Sequence, residues 1–285
     1  MKGPPRTAFV LAGGGSLGAL QVGMLAEILK AGERPDFIVG ASAGAINGAF
    51  LASSTSEAMI EKMAALWTRT STREILGLSW RSLLGLVGLR DHIASPKSLR
   101  AMLKRELPYE LLEDTSIPLH VLCAELVTGM EVILSSGNVL DAILASAAIP
   151  GVYPPVAHTG RFLVDGAVAA SSPVSVALSL GATRVIVLPC GFTCVGTDVA
   201  KHALGRAMHA ITLVFARQLR FDFDRHSNVL QMHIVPPLCP LSQSAYDYSN
   251  GAELIDRARV STRAWIEGGG LSRAEFPGPL NIHTH

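Results

Sequence analysis

Apolar and polar positions along the chain follow two periods, one of strands and one of helices. Thr7–Ala12 is an almost unbroken apolar run, the pattern of a strand buried on both faces. Gly18–Ala31 carries Leu20, Met24, Leu25 and Ile28 at helical spacing, and Gly32 stands where a helix C-terminus takes a glycine. Phe37–Gly40 reads as a second buried strand, and Ala43–Ser53 as a second helix made of small apolar residues. Further strands are predicted over Leu119–Leu126, Glu131–Leu134, Phe162–Val164, Arg184–Leu188 and Val229–Val235. Helices are predicted over Pro96–Leu107, Leu140–Ala148, Pro173–Leu180, Val199–Asp224 and Ala252–Glu267. Strand, tight turn and helix, twice in succession, predict a parallel sheet with crossover helices. The expected fold class is α/β, in three α/β/α layers around a mostly parallel central sheet. No linker or repeat divides the chain, so residues 1–285 are expected to form one domain. Its motif-bearing core would span about 7–190, with C-terminal helices and a strand over 191–268.

Two segments keep two readings each. Val199–Asp224 places Leu204, Met208, Ile211, Phe215 and Leu219 on one face, which core packing explains more simply than an interaction surface. Ile75–Leu89, "ILGLSWRSLLGLVGL", is apolar nearly all round with Trp80 beside Arg81. It fits a core helix, or a mobile cap or interfacial segment at the mouth of a lipid site.

Composition narrows the picture. The 285 residues are 49% hydrophobic and 16% charged, which suits a sheet covered on both faces. A net charge of +1 leaves no footprint for nucleic acid, so no such partner is expected. The apolar run after Lys2 and Arg6 is too short for a leader, and no run approaches the ~20 residues of a spanning helix. The expected location is the cytoplasm, with peripheral membrane contact through Ile75–Leu89. Cys123, Cys190, Cys194 and Cys239 are expected to be free thiols. Cys190 and Cys194 find no further cluster to complete a tetrahedral site, and no metal or cofactor is expected.

The chemistry lies in two glycine motifs at strand-to-helix turns. "GGGSLG" matches G-x-G-x-x-G at Gly13, Gly15 and Gly18. "GASAG" matches G-x-S-x-G at Gly40, Ser42 and Gly44, the pattern of a nucleophile elbow, with Ala41 and Ala43 beside the serine. A dinucleotide site needs an acidic residue at the C-terminal end of the second strand, but Asp36 lies at its start. A phosphate loop needs Lys and Ser or Thr after its last glycine, but Ala19 and Leu20 follow Gly18. In a parallel sheet the first glycine loop neighbours Ser42, where the amides of Gly14, Gly15 and Ser16 would stabilise an oxyanion. A serine needs a base. Asp165 ends a short strand in "RFLVDGA", and His202, His209, His226 and His233 follow it in the order of a triad. None of these histidines sits in a loop after a strand, which favours Asp165 itself.

GGGSLG, GASAG and DGA, in this order, resemble the patatin-like phospholipases. The likeness extends to "ASAAIPGVYPPV" at Ala145–Val156 and to Pro173, and covers roughly residues 7–190. It implies a Ser–Asp dyad with Ser42 as nucleophile and Asp165 as base. It also implies an oxyanion hole along Gly13, Gly14, Gly15, Ser16 and Gly18, an elbow at Gly40, Ala41, Ala43 and Gly44, and an Asp loop at Gly166 and Ala167. The implied substrate is a lipid acyl ester, of phospholipase A or lysophospholipase type, cleaved without a metal. Acyl transfer to an acceptor other than water and, less favoured, an NAD-dependent oxidoreductase are the alternatives. Two positions depart from the family: Leu17, where Arg or Lys is frequent, and Ser171, where Asn is frequent.

Overall fold

A computed structural model describes residues 6–76, 92–169, 172–192, 194 and 203–281. The first apolar run forms β1 (Thr7–Leu11) and turns through one 3-10 turn at Gly15–Leu17 into α1 (Gly18–Lys30). β2 (Phe37–Ala41), α2 (Ala43–Ser53), α3 (Glu57–Arg69) and α4 (Thr72–Leu76) follow, then α5 (Lys97–Glu106). β3 (Leu119–Glu125), β4 (Glu131–Leu134), α6 (Val139–Ser146), β5 (Val156–His158) and β6 (Arg161–Asp165) form the middle of the chain. α7 (Pro173–Ser179), β7 (Arg184–Leu188), α8 (Ala203–His226), β8 (Gln231–Ile234) and α9 (Gly251–Glu267) complete it.

The strands make one eight-stranded sheet in the order β5-β6-β3-β2-β1-β7-β8, with β4 also on β3. β1 pairs in parallel with β2 and β7, β2 with β3, and β7 with β8; β4, β5 and β6 run antiparallel to their partners. Alternate side chains of each central strand enter different cores, as the two-residue period requires. Phe9 and Leu11 join Ile38, Ile186 and the helices α1, α2 and α3 on one face. Ala8 and Val10 join Val39, Val187 and the helices α7 and α8 on the other. The three-layer α/β architecture is therefore as the sequence predicts.

Several expectations shift. The strand expected over Val229–Val235 is shorter, because the backbone of Val229 and Leu230 still bonds back to His226. α3 and β5 had no predicted counterpart. Of the long helix expected from Val199, residues 203–226 are described; Ile211 is half-buried and Leu219 buried, while Val214 and Phe221 stand exposed. Most of Ile75–Leu89 and all of Ser171 lie outside the described residues. Among the described residues no helix is long and apolar enough to cross a membrane.

A buried polar network ties the layers beside the site. Gln21 donates to Ala12 O and Leu188 O, both at 2.8 Å, at the ends of β1 and β7. Asn47 on α2 donates to Gly18 O (2.9 Å) and Gln21 Oε1 (2.8 Å) and accepts from Trp67 Nε1 of α3 at 2.8 Å. Gln21 and Asn47 are fully buried, so each bond lost leaves an orphaned polar group. Asn47→Ala, which strands three partners, is expected to destabilise the fold by about 3 kcal/mol. A lowered urea midpoint with an unchanged slope checks this.

Candidate active site

Ser42 sits between β2 and α2 with φ 53° and ψ −121°, a conformation that a non-glycine residue adopts only under constraint. The constraint is visible on both sides. Ser42 N–H donates to Ser146 Oγ at 2.9 Å, and Ser146 Oγ–H donates to Leu122 O of β3 at 2.6 Å. On the helix side, Ser42 O accepts from the amides of Ala45 and Ile46. A Cβ at Gly44 would stand 2.0 Å from Leu11 O, so α2 packs against the end of β1 only if residue 44 has no side chain.

Asp165 reaches the same place through the sheet. Along β3, Leu122 pairs with Ala41 on one side and Ile133 on the other; Cys123 pairs with Asp165 and Val132. β4 is continuous along one edge of β3, so β2 and β6 share the other edge and meet end to end between Leu122 and Cys123. The residue after β2 is Ser42 and the last residue of β6 is Asp165. The sheet brings the two predicted residues together across a chain separation of more than a hundred residues.

Asp165 is 1% exposed. Its Oδ1 accepts from Ala167 N–H at 2.8 Å, while Oδ2 is buried with no hydrogen-bond partner. Burial pushes its pKa up to about 7, opposed by the Ala167 amide and by the nearby Ser42 hydroxyl. That hydroxyl acts on the carboxyl without forming a well-aligned bond, the loose geometry usual for such pairs before substrate binds.

The glycine loop divides. The amides of Gly13, Gly14 and Gly15 have no protein acceptor among the described residues. Ser16 N–H donates to Ala245 O at 2.7 Å, and Gly18 N–H bonds to Gly15 O and Ser16 O. Of the five loop positions expected to donate, Ser16 and Gly18 have their amides engaged, and of the other three only Gly14 and Gly15 border the cavity of Ser42 and Asp165. Gly15 has φ +58° and a Cβ there would lie 2.2 Å from Ala245 O, so only glycine fits. Leu17 is fully buried in the main core.

Gly14, Gly15, Ser42, Asp165 and Ala167 border one cavity of about 20 Å³, room for a single water. Gly40, Ala41, Ala43 and Gly44 flank Ser42 in the chain and Gly166 follows Asp165, but none of the five borders the cavity. Ile149, Pro150, Val168, Ile211, Thr212 and Tyr246 complete its lining. Ser146 and Ile149 fall inside the Ala145–Val156 block, whereas Ile211, Thr212, Ala245 and Tyr246 lie in no motif of the sequence. No described histidine borders the cavity: His209 and His226 lie on α8, and His233 is buried in β8 with Nδ1 at 3.1 Å from Arg273 O. Asp36 Oδ2 accepts from Thr7 N–H at 2.7 Å, at the opposite end of β2 from Ser42. Cys190 is buried against Ala12 O, away from any metal-binding cluster among the described residues.

Fold and site define an α/β protein with a strained serine after the second parallel strand and a buried carboxyl facing it. The chain belongs to the patatin-like phospholipase family, whose model matches residues 9–178. Similar proteins include neuropathy target esterase sws of Drosophila melanogaster, 28% identical over 184 residues, 64% of this chain. Patatin-like phospholipase domain-containing protein 7 of Rattus norvegicus is 27% identical over 186 residues, 65% of this chain. The chain spans 13% of the length of each. Among solved structures, VipD from Legionella pneumophila is 12% identical with a TM-score of 0.40, covering 90% of this chain and 67% of its own. ExoU in its complex with SpcU from Pseudomonas aeruginosa is 16% identical with a TM-score of 0.45, covering 95% and 52%.

The buried carboxyl has a consequence for stability. An unfolded Asp ionises near 3.8, and the folded one near 7, so the unfolded state sheds its proton first. This group's contribution to stability is present below pH ~4 and is lost as pH rises to ~7. Asp165→Asn removes that dependence. Its Tm relative to wild type is expected to move in the variant's favour between those two pH values; a constant difference counts against the burial.

Proposed function

We propose that the chain is a serine acyl hydrolase that cleaves lipid acyl esters through Ser42 and Asp165. The observation that carries this is a buried carboxyl oxygen without a partner, facing a serine held in a strained turn, with the unengaged amides of Gly14 and Gly15 bordering the same cavity. Membership of the patatin-like phospholipase family supports the same reading, as do relatives named as an esterase and a phospholipase-domain protein.

Asp165 accepts the proton of Ser42 as the serine oxygen attacks the ester carbonyl. The carbonyl oxygen, now negative, takes hydrogen bonds from the amides of Gly14 and Gly15, which border the cavity, and removing such a donor costs roughly 10²–10³ in rate. Asp165 returns the proton to the leaving alcohol. Water then repeats the steps on the acyl-serine. A raised pKa makes the carboxylate a better base near neutrality than an ordinary Asp. At about 20 Å³ the cavity is smaller than an acyl chain, so lining side chains such as Tyr246 and Ile211 shift when one binds.

An exposed apolar surface supports the lipid assignment. Leu126, Val127, Met130, Phe162 and Val168 are each at least 42% exposed, Val127 at 86%. Leu126 N–H in the β3–β4 turn bonds to Phe162 O of β6 at 2.8 Å, and Val168, just after Asp165 at the end of β6, borders the cavity. Side chains of this kind at a cavity mouth favour contact with a lipid surface.

A fluorophosphonate probe is expected to label the wild type and to leave Ser42→Ala unlabelled; labelling that survives in Ser42→Ala overturns the mechanism. The profile of kcat/KM should show an acid limb with an apparent pKa near 7, falling about tenfold per pH unit below it. Val127→Asp with Met130→Asp is expected to slow hydrolysis of vesicle-borne phospholipid about tenfold more than that of a soluble short-chain ester. Product analysis with an added alcohol separates hydrolysis from acyl transfer.

A further inference from the structure

Four cysteines occupy two different settings. Cys123 and Cys190 are buried at 0% and 1% exposure, facing Ala142 O and Ala12 O. Cys194 and Cys239 are partly exposed, and their sulfurs lie 3.9 Å apart, in van der Waals contact across 45 residues of chain. The backbones that carry them already run side by side. Cys194 N–H donates to Leu241 O at 2.9 Å, and Leu241 N–H points at Cys194 Sγ at 3.3 Å. A disulfide requires sulfurs about 2 Å apart, so closing this gap takes side-chain rotation and a small backbone adjustment, not a rearrangement. Burial and the neighbouring Cys194 sulfur both push the Cys239 thiol up, which lowers its thiolate fraction and slows its own attack on a peroxide.

The segment after Cys239 is the one that holds the glycine loop. Ser244 O accepts from Ser16 Oγ at 2.9 Å, and Ala245 O accepts from Ser16 N–H at 2.7 Å.

We propose that Cys194 and Cys239 are a modification site, forming a reversible disulfide with a hydroperoxide as oxidant. One thiolate attacks the peroxide oxygen, breaks the O–O bond and becomes a sulfenic acid, while the other oxygen leaves as water. The second sulfur attacks the sulfenic sulfur, the S–S bond forms, and the hydroxyl leaves as a second water. Two thiols and one hydrogen peroxide give one disulfide and two waters, and a thiol reductant reverses the bond by exchange. The disulfide anchors the segment that braces the glycine loop to the chain following β7.

The test uses the full chain treated with hydrogen peroxide. Remaining thiols are then alkylated under denaturing conditions and the peptides mapped without reduction. The expected product is a Cys194–Cys239 linked peptide, lighter by two hydrogens than the two thiol peptides, that disappears with dithiothreitol; Cys123 and Cys190 are alkylated. Alkylation of both Cys194 and Cys239, or linkage of either to Cys123 or Cys190, overturns the proposal. Oxidation is expected to raise the wild-type Tm by about 5 °C. Cys194→Ser and Cys239→Ser, folded by circular dichroism, should show no rise. An unchanged wild-type Tm on oxidation also overturns it, since the bond would then have formed only after the native contact was lost.

Discussion

The structure depends on how one strand divides its edge. β3 gives Leu119–Leu122 to β2 and Cys123–Glu125 to β6, so two strands of opposite direction end against each other. Their last residues, Ala41 and Asp165, are placed by backbone hydrogen bonds to adjacent residues of a single strand. The relation between Ser42 and Asp165 is thereby a matter of sheet register, which is discrete, and not of side-chain packing, which is continuous. A slip of one residue in the β3–β6 pairing would turn the carboxyl to the opposite face.

Around that junction the polar groups are arranged to hold strain. Ser42 keeps an unfavourable backbone conformation because Ser146 takes its amide and Leu122 anchors Ser146 in turn. Asp165 keeps an unfavourable burial because one oxygen has the Ala167 amide and the other faces only Ser42 and the cavity. Both are costs to stability, of the kind expected where chemistry needs a group that ordinary folding would not leave so placed. The Gln21–Asn47–Trp67 network, by contrast, satisfies every group it buries and gives the junction a rigid base.

Much of this was legible in the sequence, for physical reasons that differ from residue to residue. The central strands stood out because burial on both faces leaves no polar positions in Ala8–Leu11 or Phe37–Ala41. Gly15 and Gly44 stood out because a backbone carbonyl occupies the space of their missing side chains. α3 was missed although Ser56 caps it and Ile60, Met63, Leu66 and Trp67 lie on its buried face; the mixed charges between them blur the period. β5 has three residues and exists only by pairing with β6, so nothing local marks it. The use of the Ser16 amide could not be read at all. Its acceptor is a carbonyl, which every residue has, and side-chain identity says nothing about where a carbonyl points.

That last contact also sets an order of events during synthesis. Ser16 and Ser244 are 228 residues apart, and the family match stops at residue 178. A chain leaving the ribosome carries Ser42 and Asp165 well before it carries the carbonyls that back the glycine loop. Domains made from the N-terminus forward expose such half-built sites for seconds. Here the glycine loop gains its support only when residues 244 and 245 have emerged, so the nascent chain has Ser42 and Asp165 early and the loop beside them braced late.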